Sequence, residues 1–248
     1  MSFFVPDWPA PDSVRSAISS RLGGCSEAPF NENNIALHVG DTETDVLANR
    51  DALKSMLHLS QSPVWLDQVH GIEVIYAPDA QGVPIADGSY SDQANVPCAV
   101  MSADCLPVLL CDYTGTQVAA VHAGWRGLAN GIVRRAISQF SSAKNILAYL
   151  GPAIGHQSFE VGVEVREAFL SNAQNSTQQD AIKNAFTDSK TKYLGDIYAL
   201  ARAELVACGV SDVFGGEFCT VNDSDRFFSY RRDGVTGRNA SLIWFNGA

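Results

Sequence analysis

The 248-residue chain is short of positive charge: 17 Lys and Arg stand against 27 Asp and Glu, a formal net charge of −10. No Lys/Arg run exceeds two residues, as at Arg231-Arg232. Nucleic-acid backbones reward a broad basic surface through counterion release, so no nucleic-acid partner is expected. An anion pocket built from a few arginines remains open. Long apolar runs are missing too. Nothing approaches the ~20 consecutive apolar residues of a membrane helix, so no membrane partner is expected. The opening MSFFVPDWPAPDSV lacks the basic start and apolar centre of a secretory signal and carries three prolines, which makes a cytoplasmic location the expectation. CxxC pairs are absent. The six cysteines (25, 98, 105, 111, 208 and 219) therefore read as reduced, mostly buried thiols. No Ser/Gly/Pro-rich linker divides the chain, so residues 1–248 read as a single domain, and a 46% apolar share supplies a substantial core.

What is present is a strand-rich front half and a helix-rich back half. Val14 to Ser20 reads as a first strand, leading into Arg21-Leu22-Gly23-Gly24, where two glycines permit a tight turn. Residues 43–58 read as a helix with Val46, Leu53 and Leu57 on one face and a capping-box-like Thr42/Asp45 at its start. Strand-like runs follow at 64–69, 73–76, 98–102, 106–111 and 116–121, then a helix over about 128–140 and a buried strand at 146–150. Residues 162–208 read as mainly helical, with polar 171–180 as a surface loop or frayed helix. Asp196 is the expected N-cap of the last helix and Gly209 its stop. Residues 241–245 form a closing strand. Segregated strands and helices favour a layered α+β domain over βαβ alternation.

Three metal-ligand types sit at strand ends or turns: His70 in LDQVHG, Cys105 in SADCLP and His122 in AVHAGWRG. A sheet can hold such residues rigidly while they face a cleft. Two imidazoles and a thiolate suit Zn²⁺ with a fourth position open, and zinc lowers the pKa of a bound water to about 7. The spacing, 35 residues from His70 to Cys105 and 17 more to His122, matches no compact zinc finger. A lone histidine is more often a hydrogen-bonded core or surface residue than a ligand. No fourth protein ligand is evident nearby, which favours an enzyme over a structural site. The same residues also permit a metal-free reading. Cys105 is then a nucleophile, His122 its base, Asp104 or Gln68 an orienting group, and the Gly124/Gly127 turn an oxyanion donor. They also match a two-His, one-Cys blue-copper set, so Cu²⁺ remains an alternative ion. Five histidines are too few for a full multicopper centre.

Arginine beside glycine is the second theme: Arg21 before Gly-Gly, Arg126 within Gly-Trp-Arg-Gly, and Arg231, Arg232 and Arg238 in FFSYRRDGVTGR. Guanidinium forks fit phosphate, although most surface arginines serve as ion-pair partners. Arg21 and Arg231 are the preferred phosphate candidates, with Gln68 and Arg126 as further substrate-binding residues. Phe227 and Phe228 read as core, and Tyr230 with them, unless they stack on a flat ring.

Taken in order, RLGG (21–24), DQVHG (67–71), SADCLPVLLCD (102–112), AVHAGWRG (120–127), LGPAIG (150–155), FGGEFCT (214–220) and FFSYRRDGVTGR (227–238) closely resemble the bacterial YfiH-like family, also filed as polyphenol oxidase/laccase-domain proteins. The resemblance spans about residues 14–246. It implies a layered α/β sandwich likened to the catalytic domain of cytotoxic necrotizing factor, a cysteine-hydrolase type of fold, with the metal on His70, Cys105 and His122. It further implies zinc-dependent phosphorolysis of purine nucleosides (adenosine, inosine, methylthioadenosine) and adenosine deamination, with nucleoside and phosphate as the small-molecule partners. Asp104 or Asp87 would serve as acid/base. The alternatives that go with it are a zinc amidase editing a UDP-linked peptidoglycan precursor, a copper-dependent polyphenol oxidase, and a non-catalytic metal- or nucleotide-binding protein.

Overall fold

Strict alternation of side chains along the strands sets the layers. In the computed structural model, which describes residues 2–247, a small sheet runs Phe3–Phe4 (β1), Val14–Ser19 (β2), Asn239–Phe245 (β13), Cys98–Ser102 (β5), all antiparallel. A larger sheet runs Asp212–Gly215 (β12), Ile146–Leu150 (β8), Leu106–Asp112 (β6), Val118–Ala123 (β7), Gly88–Ser91 (β4), Val74–Tyr76 (β3). In it only the outer pairs, β12 with β8 and β3 with β4, are parallel. The helices are Glu43–Met56 (α1), Trp125–Asn130 (α2), Ile132–Ile137 (α3), Val163–Ser171 (α4), Ser176–Asn184 (α5), Ile197–Ala207 (α6) and Tyr230–Asp233 (α7).

Successive strand residues point to opposite faces. Ala17, Met101, Leu242 and Trp244 turn outward under Leu53 of α1. Their neighbours Ile18, Val100, Ile243 and Phe245 turn inward against Leu109, Cys111, Val118 and Ala120 of the larger sheet. Val108, Leu110, Ala119 and Val121 face the other way, against Leu128, Ile132 and Val133 of α2 and α3 and Leu200 and Leu205 of α6. The result is four layers, helix–sheet–sheet–helix, of mixed α+β type. A central strand such as β6 is buried on both faces, and fully burying one Leu there contributes about 1.5–3 kcal/mol. Among the described residues no helix is long and apolar enough to cross a membrane.

Several elements depart from the sequence expectation. Residues 64–69 form isolated bridges, Val64 with Cys98 and Asp67 with Ile85, and no strand. The expected helix over 128–140 is two short helices, because Gly131 adopts φ 92 and caps one while opening the next. Thr42 precedes α1 in an extended conformation, but its side chain makes no capping bond. The region 162–208 contains two strands, Phe186–Ser189 (β10) and Lys192–Gly195 (β11), which form a sheet with Glu160–Val161 (β9) just before it, so it is less helical than its composition implied. Polar 171–180 is half helix: Asn175 accepts from the Gln178 N–H and starts α5. Asp196 caps α6 as expected, accepting from the Tyr198 and Ala199 N–H groups.

Candidate metal centre

Three chain segments meet at one end of the two sheets. β5 belongs to the small sheet and β6 to the larger one, so residues 103–105 cross between layers and carry Cys105 with them. His122 lies in β7, directly opposite Pro107 of β6. His70 lies on the loop before β3. That loop is tied to β5 by Gln68, whose amide donates to the Met101 carbonyl (2.8 Å) and accepts from the Met101 N–H (2.7 Å).

One buried carboxylate organises both histidines. Asp87 is 0% exposed and accepts from the N–H groups of Val69 (3.2 Å), His70 (2.9 Å) and Gly71 (2.6 Å). His70 reaches this geometry with φ 60, a left-handed conformation rare outside glycine. Three successive N–H groups thereby converge on an anion as a nest. The same carboxylate lies 2.8 Å from His122 Nδ1. Asp87 can only accept there, so Nδ1 carries a proton, and Nε2 is the ring nitrogen available to a metal that displaces its own proton. Burial pushes the Asp87 pKa up, but the bonds from His122 and the loop N–H groups outweigh it and the net shift is downward.

Cys105 Sγ stands 3.7 Å from His70 Nε2. The donor atoms of His70, Cys105 and His122 all lie within 4.8 Å of one another, and the two imidazole rings meet edge to face with centroids 4.8 Å apart. Burial raises the Cys105 pKa, but His122 and His70 more than offset it and bring the thiol down to about 6. His122 is raised to about 9: burial lowers it, while the Cys105 thiolate and Asp87 prevail. Gly124 completes the cradle, since a Cβ there would stand 2.9 Å from His70 Cδ2 and 3.0 Å from Cys105 Sγ.

The centre lies in the wall of a cleft of about 370 Å³ that is also lined by His38, Gln68, Met101, Tyr230 and Arg238. Not every sequence candidate reaches it. Asp104 (φ 93) turns both carboxylate oxygens to other partners, accepting from the Thr220 hydroxyl (2.6 Å) and the Arg231 N–H (2.6 Å). It braces the Cys105 turn against the C-terminal segment and does not line the cleft. Arg21 donates to the carbonyls of Asn31 and Ser224, and Arg231 to those of Ser158 and Glu160. Arg126 is exposed and lies over the Trp125 ring. None of these three arginines lines the cleft. Gln68 does, with both amide atoms committed to β5. Phe227 and Phe228 are core, while Tyr230 is 61% exposed. Asp87 is the anchor of the centre, placed beneath it. His38 and Arg238 are the cleft residues that sequence reasoning under-weighted. The glycine before Arg238 and the left-handed Gly40 two residues after His38 were the available signals.

Fold and site together define a class: a layered α+β protein with a two-histidine, one-cysteine centre in an open cleft. Within it, the chain belongs to the YfiH-like family, whose model, described as multi-copper polyphenol oxidoreductase laccase, matches residues 15–246. It is 48% identical to the protein named purine nucleoside phosphorylase YfiH from Shigella flexneri, over 97% of each chain. A Pseudomonas aeruginosa purine nucleoside phosphorylase is 46% identical over 98% of each. Among solved structures, a Neisseria meningitidis protein of the DUF152 family matches with a TM-score of 0.93 at 46% identity, covering 100% of both chains. YlmD from Geobacillus stearothermophilus matches with a TM-score of 0.87 at 31% identity, covering 96% of this chain and 94% of that one.

Proposed function

We propose that the protein is a metal-dependent purine nucleoside phosphorylase for adenosine, inosine and methylthioadenosine, with zinc held by His70, Cys105 and His122. The convergence of those three donors carries the reading. The donor set fits the ion: Cys105 is a thiolate at neutral pH, His122 has its Nδ1 proton occupied by Asp87, and Gly124 keeps the space between the ligands clear. Copper is the other ion such a set accepts. A trinuclear copper cluster is a poor fit, because only two of the five histidines meet in the centre.

When bound, the ion supplies Lewis acidity to charge that develops in the cleft. In phosphorolysis a phosphate oxygen bonds to C1′ while the N9–C1′ bond breaks. Its electron pair leaves with the purine, which takes up a proton, and the products are free purine and sugar 1-phosphate. A cleft of about 370 Å³ is in the range that encloses a small ligand. The exposed Tyr230 ring offers a face on which a purine stacks. Burial and the nearby Arg238 charge lower the His38 pKa, which leaves His38 a neutral imidazole able to donate or accept one hydrogen bond. Deamination of adenosine, with water replacing the 6-amino group and ammonia leaving, belongs to the same proposal. A second reading is favoured by the low Cys105 pKa: a metal-free hydrolase with Cys105 as nucleophile, in which His122, its base, has already taken the thiol proton and holds it as an imidazolium.

Incubating the purified protein with adenosine, with and without phosphate, separates these readings. Adenine and ribose 1-phosphate formed only with phosphate establishes the phosphorylase, and inosine without phosphate establishes deamination. Untouched adenosine in fully metal-loaded protein refutes both. Activity that persists after complete metal removal selects the Cys105–His122 nucleophile.

A further inference from the structure

One arginine in the cleft has no carboxylate within ion-pair distance among the described residues. Arg238 immediately precedes β13, whose Asn239 pairs with Ser102 of β5, so the sheet register sets it beside the Cys105 turn. Its main chain is held from both directions: the N–H donates to Asn34 Oδ1 (2.9 Å) and the carbonyl accepts from the Ile35 N–H (3.3 Å). The guanidinium donates through Nη1 to the carbonyls of Thr236 (2.9 Å) and Gly237 (3.1 Å) and stands 5.9 Å from the Tyr230 ring centroid. Nε and Nη2 have no acceptor among the described residues, and no carboxylate lies within ion-pair distance.

The other arginines near the cleft differ. Arg232 is paired with Asp233 and donates to three backbone carbonyls, and Arg21 and Arg231 are committed to carbonyls of their own neighbourhoods. Arg238 alone among the described arginines lines the wall that holds His70, Cys105 and His122. A partly buried guanidinium remains charged; the Cys105 and Asp104 charges act on it only through space, so its Nε–H and Nη2–H are left for an anionic ligand to accept from. Nε and Nη2 lie on one edge of the planar group, and that edge is the fork that binds two oxygens of a phosphate at once.

We infer that Arg238 is the phosphate-holding residue of the cleft, with its Nε–H and Nη2–H receiving two oxygens of inorganic phosphate beside the His70–Cys105–His122 centre. The inference rests on the phosphorylase reading for its substrate, but the binding itself is measured without turnover. Tyr230 and the Thr236 and Gly237 carbonyls brace the guanidinium, so it is positioned before phosphate arrives.

The test is calorimetric titration of inorganic phosphate into the metal-loaded protein in a phosphate-free buffer, for wild type, Arg238→Ala, Arg238→Lys and the exposed control Arg135→Ala. Removing a charge-assisted pair weakens phosphate binding on the order of tenfold to a hundredfold. Arg238→Lys keeps the charge, loses the fork and falls between. Arg135→Ala binds as wild type does. Steady-state kinetics then show KM for phosphate raised with KM for nucleoside little changed. Should the Ala variant lose metal or melt early, the Lys variant carries the comparison. Wild-type phosphate affinity in both variants, no saturable phosphate binding by wild type, or binding of AMP through Arg238 without binding of inorganic phosphate each overturns the inference. Arg238-dependent phosphate binding in a protein that releases no purine leaves it standing and removes the phosphorylase reading instead.

Discussion

Replacing Gly124 by Ala isolates the ligand cradle from the rest of the fold. Gly124 adopts φ −59 and ψ 155, a conformation open to any residue, so the substitution strains no backbone. The added methyl would lie 2.9 Å from His70 Cδ2, 3.0 Å from Cys105 Sγ and 3.6 Å from His122 Cε1. Ordinary carbon contacts lie at roughly 3.5–4.0 Å, so His70 and Cys105 must each retreat by about 0.6 Å. His122 cannot follow, because Asp87 holds its other nitrogen at 2.8 Å. Metal–ligand distances tolerate only about 0.2 Å of error. The expected loss of metal affinity is therefore on the order of tenfold to a hundredfold, or about 1.4–2.7 kcal/mol. The His70 side chain is exposed and can swing outward, so the fold itself loses only about 1 kcal/mol, the low end of overpacking costs. That is about 2–4 °C in the Tm of the metal-free protein. Competition with a chromogenic chelator measures the affinity and a thermal melt the stability. Wild-type metal affinity in Gly124→Ala would show that the three side chains do not act as one ligand set.

Asp87→Asn removes the charge that faces His122 and places an N–H₂ group against backbone donors. It is expected to destabilise the protein by about 3 kcal/mol, as the loss of one partner of a buried pair does. A lower urea midpoint together with weakened metal binding checks this, and an unchanged midpoint contradicts it. Alkylation of the metal-free protein tests the Cys105 charge. Its folded pKa, about 6, lies below the ordinary value of 9.0, so the thiolate persists at neutral pH and is lost only as pH falls through about 6. Iodoacetamide should label Cys105 with a midpoint near that value, whereas burial pushes Cys98 and Cys111 up to about 12 and leaves them unlabelled. A Cys105 midpoint near 9, followed by mass spectrometry, would contradict the thiolate assignment.

Legibility from sequence followed the locality of the signal. β5 and β8 fall where alternation and apolar runs placed them, at Cys98–Ser102 and Ile146–Leu150, and Asp196 caps α6 as its position implied. β4 (Gly88–Ser91) and β12 (Asp212–Gly215) were invisible because Gly-Ser-Tyr-Ser and Asp-Val-Phe-Gly lack the β-branched runs that mark strands, and pairing with β7 and β8 makes them. The same holds within the site. His70, Cys105 and His122 stood out by residue type and by motif, and the structure brings them together. Side-chain direction was not legible. Asp104 looked like a partner of Cys105 because it precedes it in the chain, yet φ 93 turns its carboxylate to Thr220 and Arg231. Arg238 looked like one tail arginine among several, and only the pairing of β13 with β5 sets it at the cleft.

The most direct measurement is the metal content of protein purified without added metal, for wild type beside Cys105→Ala, with a melt of each to show that both are folded. The account predicts stoichiometric metal in the wild type and none in the variant. Equal metal in the two proteins would contradict it and move the binding site away from His70, Cys105 and His122.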